Sequence, residues 1–252
     1  MRTKTPVMFK KLTIVSTIFL ISATLTNGQS CGFGCLGFSG GYGGYTIQQY
    51  DMKGLNDHLH EIVGAAGYDI GENTFHEGKG FRVGINIFKA RFDAVYFGTK
   101  FFYQFLEEEK TFVNTNDPSK QRKFNLGFNY WGFGGELGFP LFSYLDLKLV
   151  EGGVTLHNVT FKDETYVGDA MFSEVKYEST GTQVGYYVAS GLIIHLIKNY
   201  ISIEGTASYN FIDLEEVQSD NGEIIPARGG IVSLAQKGGL TGTVQFNVSF
   251  PL

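Results

Sequence analysis

The stretch Thr241-Gly242-Thr243-Val244-Gln245-Phe246-Asn247-Val248-Ser249-Phe250 decides the fold. On an extended chain Gly242, Val244, Phe246, Val248 and Phe250 fall on one side, and Thr241, Thr243, Gln245, Asn247 and Ser249 on the other. Side chains alternate across a strand with a period of two, so this segment predicts a strand with one greasy face and one uncharged polar face. The pattern recurs upstream. Over 201–211 Ile201, Ile203, Ala207, Tyr209 and Phe211 oppose Ser202, Glu204, Thr206, Ser208 and Asn210. Over 183–196 Val184, Tyr186, Val188, Leu192, Ile194 and Leu196 oppose Gln183, Gly185, Tyr187, Ala189, Gly191 and His195. Phe81, Val83, Ile85 and Ile87 oppose Arg82, Gly84 and Asn86, and Val95, Phe97, Phe101, Tyr103 and Phe105 oppose Tyr96, Gly98, Lys100, Phe102 and Gln104.

Three further strands are less regular: 38–47 is rich in glycine, 124–139 changes parity near Trp131-Gly132, and 144–159 changes parity near Gly152-Gly153. Both shifts read as β-bulges, which add one residue and flip the facing of those that follow. The total is eight strands. Very short connections at 89–91, 140–143 and 198–199 alternate with long polar ones centred on 56–77, 107–123, 161–179 and 215–237. Short turns on one side and long loops on the other are the habit of a membrane-spanning barrel. No apolar run reaches the length of a membrane helix, and a closed sheet is the other structure that satisfies every backbone group in lipid. The expected fold is an all-β, eight-stranded, antiparallel up-and-down transmembrane barrel with short periplasmic turns and long extracellular loops.

The amino terminus fits that location. Arg2, Lys4, Lys10 and Lys11 precede an apolar run over 12–25 and a small-residue stretch, Thr26-Asn27-Gly28. This is the layout of a secretory signal peptide, and the run is short for a retained membrane helix. The predicted organisation is a signal peptide over 1–28, a short periplasmic segment over 29–36, and a barrel over 37–252. Loss of those four basic residues, from 20 against 25 acidic ones, leaves a mature chain at about −9, which argues against a nucleic-acid partner. With 34 Gly, 23 Phe, 14 Tyr and 18% charged residues, the composition suits a strand-rich chain with an aromatic belt.

An eight-stranded barrel is just wide enough to be filled by side chains, so charges on the polar face must balance one another. Parity puts Arg82, Lys100 and Lys148 inside with Glu136, Asp146 and Glu204. Hairpin register sets Glu136 across from Asp146 and diagonal to Lys148, and places His195 near Glu204. The network reads first as structural and second as the gate of a small conduit.

The opening strand Gly40-Gly41-Tyr42-Gly43-Gly44-Tyr45 and the alternating closing strand ending on Phe250 carry a family resemblance. In these the chain resembles the small eight-stranded outer-membrane barrels of the OmpA and OmpX type, in particular the shorter secreted barrels of Bacteroidota. The resemblance implies an integral outer-membrane protein, monomeric, in contact with outer-membrane lipids and lipopolysaccharide. It also implies handling by the barrel-assembly machinery, although here Pro251 and Leu252 follow the terminal aromatic. No segment matches the peptidoglycan-binding domain of full-length OmpA proteins.

Some barrels of this size are lipid-modifying enzymes, but His157 is followed by Asn158-Val159-Thr160, so the His-x-Ser-Asn pattern of the deacylases is missing. No nucleophile with a matched base stands out, and no enzymatic activity or cofactor is predicted. A soluble calycin-like barrel, with the apolar face turned inward around a small hydrophobic ligand, is the alternative in a different class. Cys31 and Cys35, with three residues between them, invite a local disulfide in an oxidising compartment, without the neighbours a zinc site needs. In the first long loop Met52, Leu55, Leu59, Ile62 and Val63 recur at helical spacing after Asp51, a candidate N-cap, and predict a short amphipathic helix. His58 and Glu61 share its polar face, where solvation explains them better than a metal does.

Overall fold

The computed structural model describes residues 39–250, apart from 70, 72, 93, 199, 215 and 226–237. The predicted signal peptide and the Cys31/Cys35 pair lie outside the described residues. The elements in chain order are β1 (Gly40–Gln49), α1 (Lys53–Ala65), β2 (Glu77–Arg91), β3 (Tyr96–Val113), β4 (Lys120–Phe142) and β5 (Leu145–Val167). They continue with β6 (Ala170–Ser179), β7 (Gln183–Ile197), β8 (Ile201–Phe211), β9 (Val217–Ser219), β10 (Ile224–Ile225) and β11 (Gly239–Ser249). Eight strands close a ring, β1-β2-β3-β4-β5-β7-β8-β11 and back to β1, and every pairing is antiparallel. No helix among the described residues is long and apolar enough to cross a membrane.

The segment that decided the fold does what its alternation predicts. Thr241, Thr243, Gln245 and Asn247 are buried in the lumen, while Val244, Phe246 and Val248 are exposed on the outside. The outer face carries Phe81, Val83, Phe101, Trp131, Phe133, Val188, Ile194 and Ile203 as well, all exposed. The apolar face points outward, opposite to the calycin-like arrangement. On β4 this apolar exterior runs from Trp131 to Leu141. About ten residues at roughly 3.3 Å each, on a strand tilted as in barrels, make a band about 25 Å tall.

Above that band the strands continue and the polarity of their two faces inverts. On β4 the inward residues are Glu136, Gly134 and Gly132 lower down, then Tyr130, Phe128, Leu126 and Phe124. On β5 they pass from Lys148, Glu151, Thr155 and His157 to Val159 and Phe161. Outward residues change in the opposite sense, from Phe101 and Phe105 to Glu107 and Glu109 on β3, and from Val154 and Leu156 to Asn158 and Lys162 on β5. Inside and outside never swap; their chemistry does, the exterior turning from apolar to polar where the interior turns from polar to apolar.

This inversion corrects several sequence expectations. The parity change near Trp131-Gly132 is no bulge: β4 pairs with β5 without a break from Lys120↔Val167 to Leu137↔Val150. The polar connections over 107–123 and 161–179 are mostly strand, with β3 and β4 meeting around residues 114–119 and β5 turning into β6 at Gly168, where φ is +61°. The bulge expected in β5 exists but sits at Leu149-Val150, not Gly152-Gly153, and both residues point outward. The first short turn is 92–95, closed by Phe92 N–H donating to the Val95 carbonyl at 2.8 Å.

Beyond the ring, β5 parts from β7 at His157 and pairs instead with β6, which pairs at its lower end with β9 and through it with β10. The upper parts of β3, β4 and β5, with β6, form a sheet that projects past the barrel. Helix α1 packs Leu55, Leu59 and Val63 into an apolar cluster with Phe75, Leu106, Phe112, Phe124, Phe161 and Tyr177. The predicted helix is there, but its N-cap position is Met52; Asp51 accepts from the Lys53 N–H at 3.3 Å. His58 is half-buried rather than freely solvated, and loss of solvent lowers its imidazole below the ordinary histidine value.

Candidate functional site

The lumen is closed by two seals of opposite chemistry. The lower one is ionic. The Lys100 ammonium lies 2.9 Å from Glu136, 2.9 Å from Glu204 and 3.7 Å from Glu151. Lys148 lies 3.1 Å from Glu136 and contacts Glu151 and Glu204 directly. Gln245 and Asn247 donate to Glu204 at 3.2 Å each, and Tyr187 donates to Glu151 at 3.0 Å. Two ammonium groups thus sit among three carboxylates contributed by β4, β5 and β8. The three carboxylates approach closely enough to suggest a metal site, but Lys100 and Lys148 contact all of them.

Of the seven residues singled out from the sequence, Lys100, Lys148, Glu136 and Glu204 meet here. The other three stand apart. Asp146 is across from Pro140, not Glu136, and binds Arg91 at 2.6 Å and His195 at 2.8 Å near the short turns. His195 therefore partners Asp146 and not Glu204, because the β7–β8 register sets it opposite Ser202. Arg82 donates to Gln104 at 2.7 Å and lies 4.3 Å above the Phe102 ring, in the layer over the ion cluster.

Glu151 is the member that sequence reading missed. Placing the parity shift at Gly152-Gly153 leaves Glu151 pointing outward onto the apolar exterior, whereas the bulge at Leu149-Val150 turns it inward. Two successive apolar residues followed by a lone acid were the available signal: the bulge goes where it hides the charge.

A layer of rings caps the ions. Phe102 packs edge-on against Tyr187 at 5.8 Å and Tyr130 at 6.1 Å, and Tyr130 donates to Gln48 at 3.0 Å. His157 is enclosed at mid-strand, 4.4 Å from the Tyr130 ring and 2.7 Å from the Thr155 hydroxyl. Glycines make room for these rings: a Cβ at Gly132 would lie 2.1 Å from Phe102.

The upper seal is the apolar cluster under α1. The connection that carries α1 is clamped to the barrel by Glu108, whose carboxylate accepts from the Tyr50 hydroxyl and the His76 and Glu77 N–H groups at 3.2 Å or less. Asn56 adds a two-bond clasp on the Phe75 backbone at 2.7 and 2.9 Å. Above it Arg122 and Asp163 form a forked ion pair, with Nε donating at 2.8 Å.

With an ionic seal below and an apolar seal above, purified protein in a planar bilayer is expected to show no large stable channels. Glu136→Gln or Lys148→Met should change only rare, small conductance events. Reproducible porin-sized currents would contradict this packing.

No family model matches the chain, and no curated protein matches it. Among solved structures, the attachment invasion locus protein Ail of Yersinia pestis aligns with 86% of this chain and 99% of its own, at 11% identity and a TM-score of 0.41. Neisserial surface protein A aligns over 89% and 100%, at 13% identity and a TM-score of 0.42. The outer membrane protease OmpT of Escherichia coli aligns over 89% and 96%, at 9% identity and 0.35. Identities and scores this low assign neither activity nor partner, and the fold rests on the ring of strands and the facing of its side chains: a closed, antiparallel, eight-stranded barrel.

Proposed function

We propose that the chain is a monomeric, non-enzymatic integral barrel of a bacterial outer membrane, delivered by a cleaved signal peptide over 1–28. It has a sealed lumen and works through its projecting sheet as a surface-contact protein of the envelope. The observation that carries this is the inversion of polarity along β3, β4 and β5. An apolar exterior about 25 Å tall suits a hydrocarbon layer, and the polar exterior directly above it suits water. The exterior aromatic cluster, with Phe101 stacked on Trp131 at 5.1 Å and Tyr103 against Trp131 at 4.6 Å, lies just below the point of inversion, where aromatic belts meet headgroups. Contact with outer-membrane lipid and lipopolysaccharide follows from that placement, and assembly by the barrel-insertion machinery from the form of β11. Likeness to small barrels of Bacteroidota belongs to the same proposal.

Fractionation with and without detergent tests it. The folded protein should appear in the detergent-extracted membrane fraction, with an amino terminus near Gln29. Folded protein recovered from the detergent-free soluble fraction would refute the reading.

A further inference from the structure

Helix α1 completes the upper seal as a separate piece, carried on the connection between β1 and β2. Both flanks of that connection are anchored. Tyr50, just after β1, and His76 and Glu77, where β2 begins, all donate to the one carboxylate of Glu108, and the Lys110 ammonium lies 3.0 Å from it. Beyond the end of the helix, the Thr115 N–H donates to the Gly67 carbonyl at 3.0 Å. The helix between these anchors is seated chiefly by burial of Leu55, Leu59 and Val63 in the aromatic cup. At 13 residues, with no side-chain hydrogen bond at its N-cap, α1 has little stability of its own and depends on that seat.

One titratable ring is caught in the seat. His58 is half-buried on α1, and the charged groups around it among the described residues are Glu61 on the helix itself, Arg122 of β4, Asp163 of β5 and Glu223 of the β9–β10 turn. Arg122 and Asp163 are paired with each other, and Glu223 accepts from the Tyr177 hydroxyl at 3.2 Å. Loss of water outweighs the attraction of the three carboxylates, which is why the seated imidazole is held below its ordinary value.

We propose that α1 is a proton-released lid: uptake of a proton at His58 lifts the helix from the aromatic cup and opens the upper seal, while the ionic seal below stays shut. The direction follows from linkage between the proton and the seat. Seated, the imidazole binds a proton less readily than in water; lifted, it regains water and its ordinary affinity. The contribution of His58 to holding the lid is therefore complete above the ordinary histidine value of about 6.5 and is lost as the pH falls below it. Glu108 plays a different part. It keeps the two flanks of the connection on the barrel, so that the helix can leave its seat and return. The lid belongs to the fold itself, whichever membrane holds the barrel.

Native-state hydrogen exchange of the folded chain in detergent micelles, read by mass spectrometry and corrected for the intrinsic effect of pH, tests the lid. Peptides covering 53–65 should lose protection as the pH is lowered from about 7.5 to about 5, while β8 and β11 keep theirs. His58→Gln should abolish that loss, with His60, His76, His157 and His195 still present to reveal any other titration. Glu108→Gln should increase exchange in α1 at both pH values and leave the pH-dependent part in place, which separates the anchor from the switch. As a second readout, ring-proton NMR of wild type should show His58 titrating below the ordinary histidine value. Protection of α1 that does not change with pH, or a loss that persists in His58→Gln, would overturn the proposal. So would a parallel loss in β8 and β11, which would mean that acid unfolds the whole barrel, or a His58 titration at or above the ordinary value.

Discussion

Lys148→Met is expected to destabilise the folded barrel by about 3–5 kcal/mol, the cost of leaving buried charge without its partner. Lys148 is fully buried and touches Glu136, Glu151 and Glu204. Its removal leaves three buried carboxylates around the one ammonium of Lys100. Methionine fills nearly the same volume, so a packing defect is a minor part of the expected loss. Urea unfolding in liposomes, read by the shift of the heat-modifiable band or by tryptophan fluorescence, measures the change. The triple variant Lys148→Met/Glu151→Gln/Glu204→Gln should recover part of the loss, because what costs energy is the uncompensated charge. An unchanged midpoint for Lys148→Met would mean that the cluster is hydrated.

Phe246→Arg is the second large effect. Phe246 sits midway along β11, opposite Ile203 on β8 and Gly43 on β1, with its ring exposed on the outer face. An arginine near the bilayer midplane of a barrel costs about 2–4 kcal/mol, falling toward zero near the interfaces. Folding yield into liposomes and the unfolding midpoint should therefore both drop. Lys162→Arg, which also points outward but above the inversion, should leave both unchanged. Equal behaviour of the two variants would mean that the apolar band does not face lipid.

The two predictions draw on parts of the chain that differ in how plainly the sequence displays them. On β8 and β11 the inward side is polar and the outward side apolar from end to end, so facing can be read directly: Glu204 lies inside because Ile203 lies outside. On β4 and β5 the rule holds only below Tyr130 and His157. Above those positions Phe124, Phe128 and Phe161 face inward, and a reading that equates apolar with outward invents a bulge at Trp131 and ends the strands early. The same assumption hides the upper seal. Helical spacing announces α1 from Met52 to Val63, but the aromatic residues it covers sit in segments that look like polar loops. Glu151 is concealed by a one-residue displacement of a real bulge, and the partner of His195 by register irregularities of the same kind near the short turns. Local alternation tells which residues share a face; only closure of the ring and the medium outside tell what each face must be made of.

In the proposed outer-membrane setting, the change of exterior polarity along a single strand also works as a depth mark. If the barrel slid by two residues toward the short-turn side, Glu109, Lys123 and Lys162 would approach the hydrocarbon while Phe142 and Tyr144 left it. A slide the other way would strand the upper aromatic rings in water and draw the short turns into lipid. Each direction is uphill, so the height at which the molecule floats is written into the exterior of its own strands, and a thinner or thicker bilayer must deform to meet it.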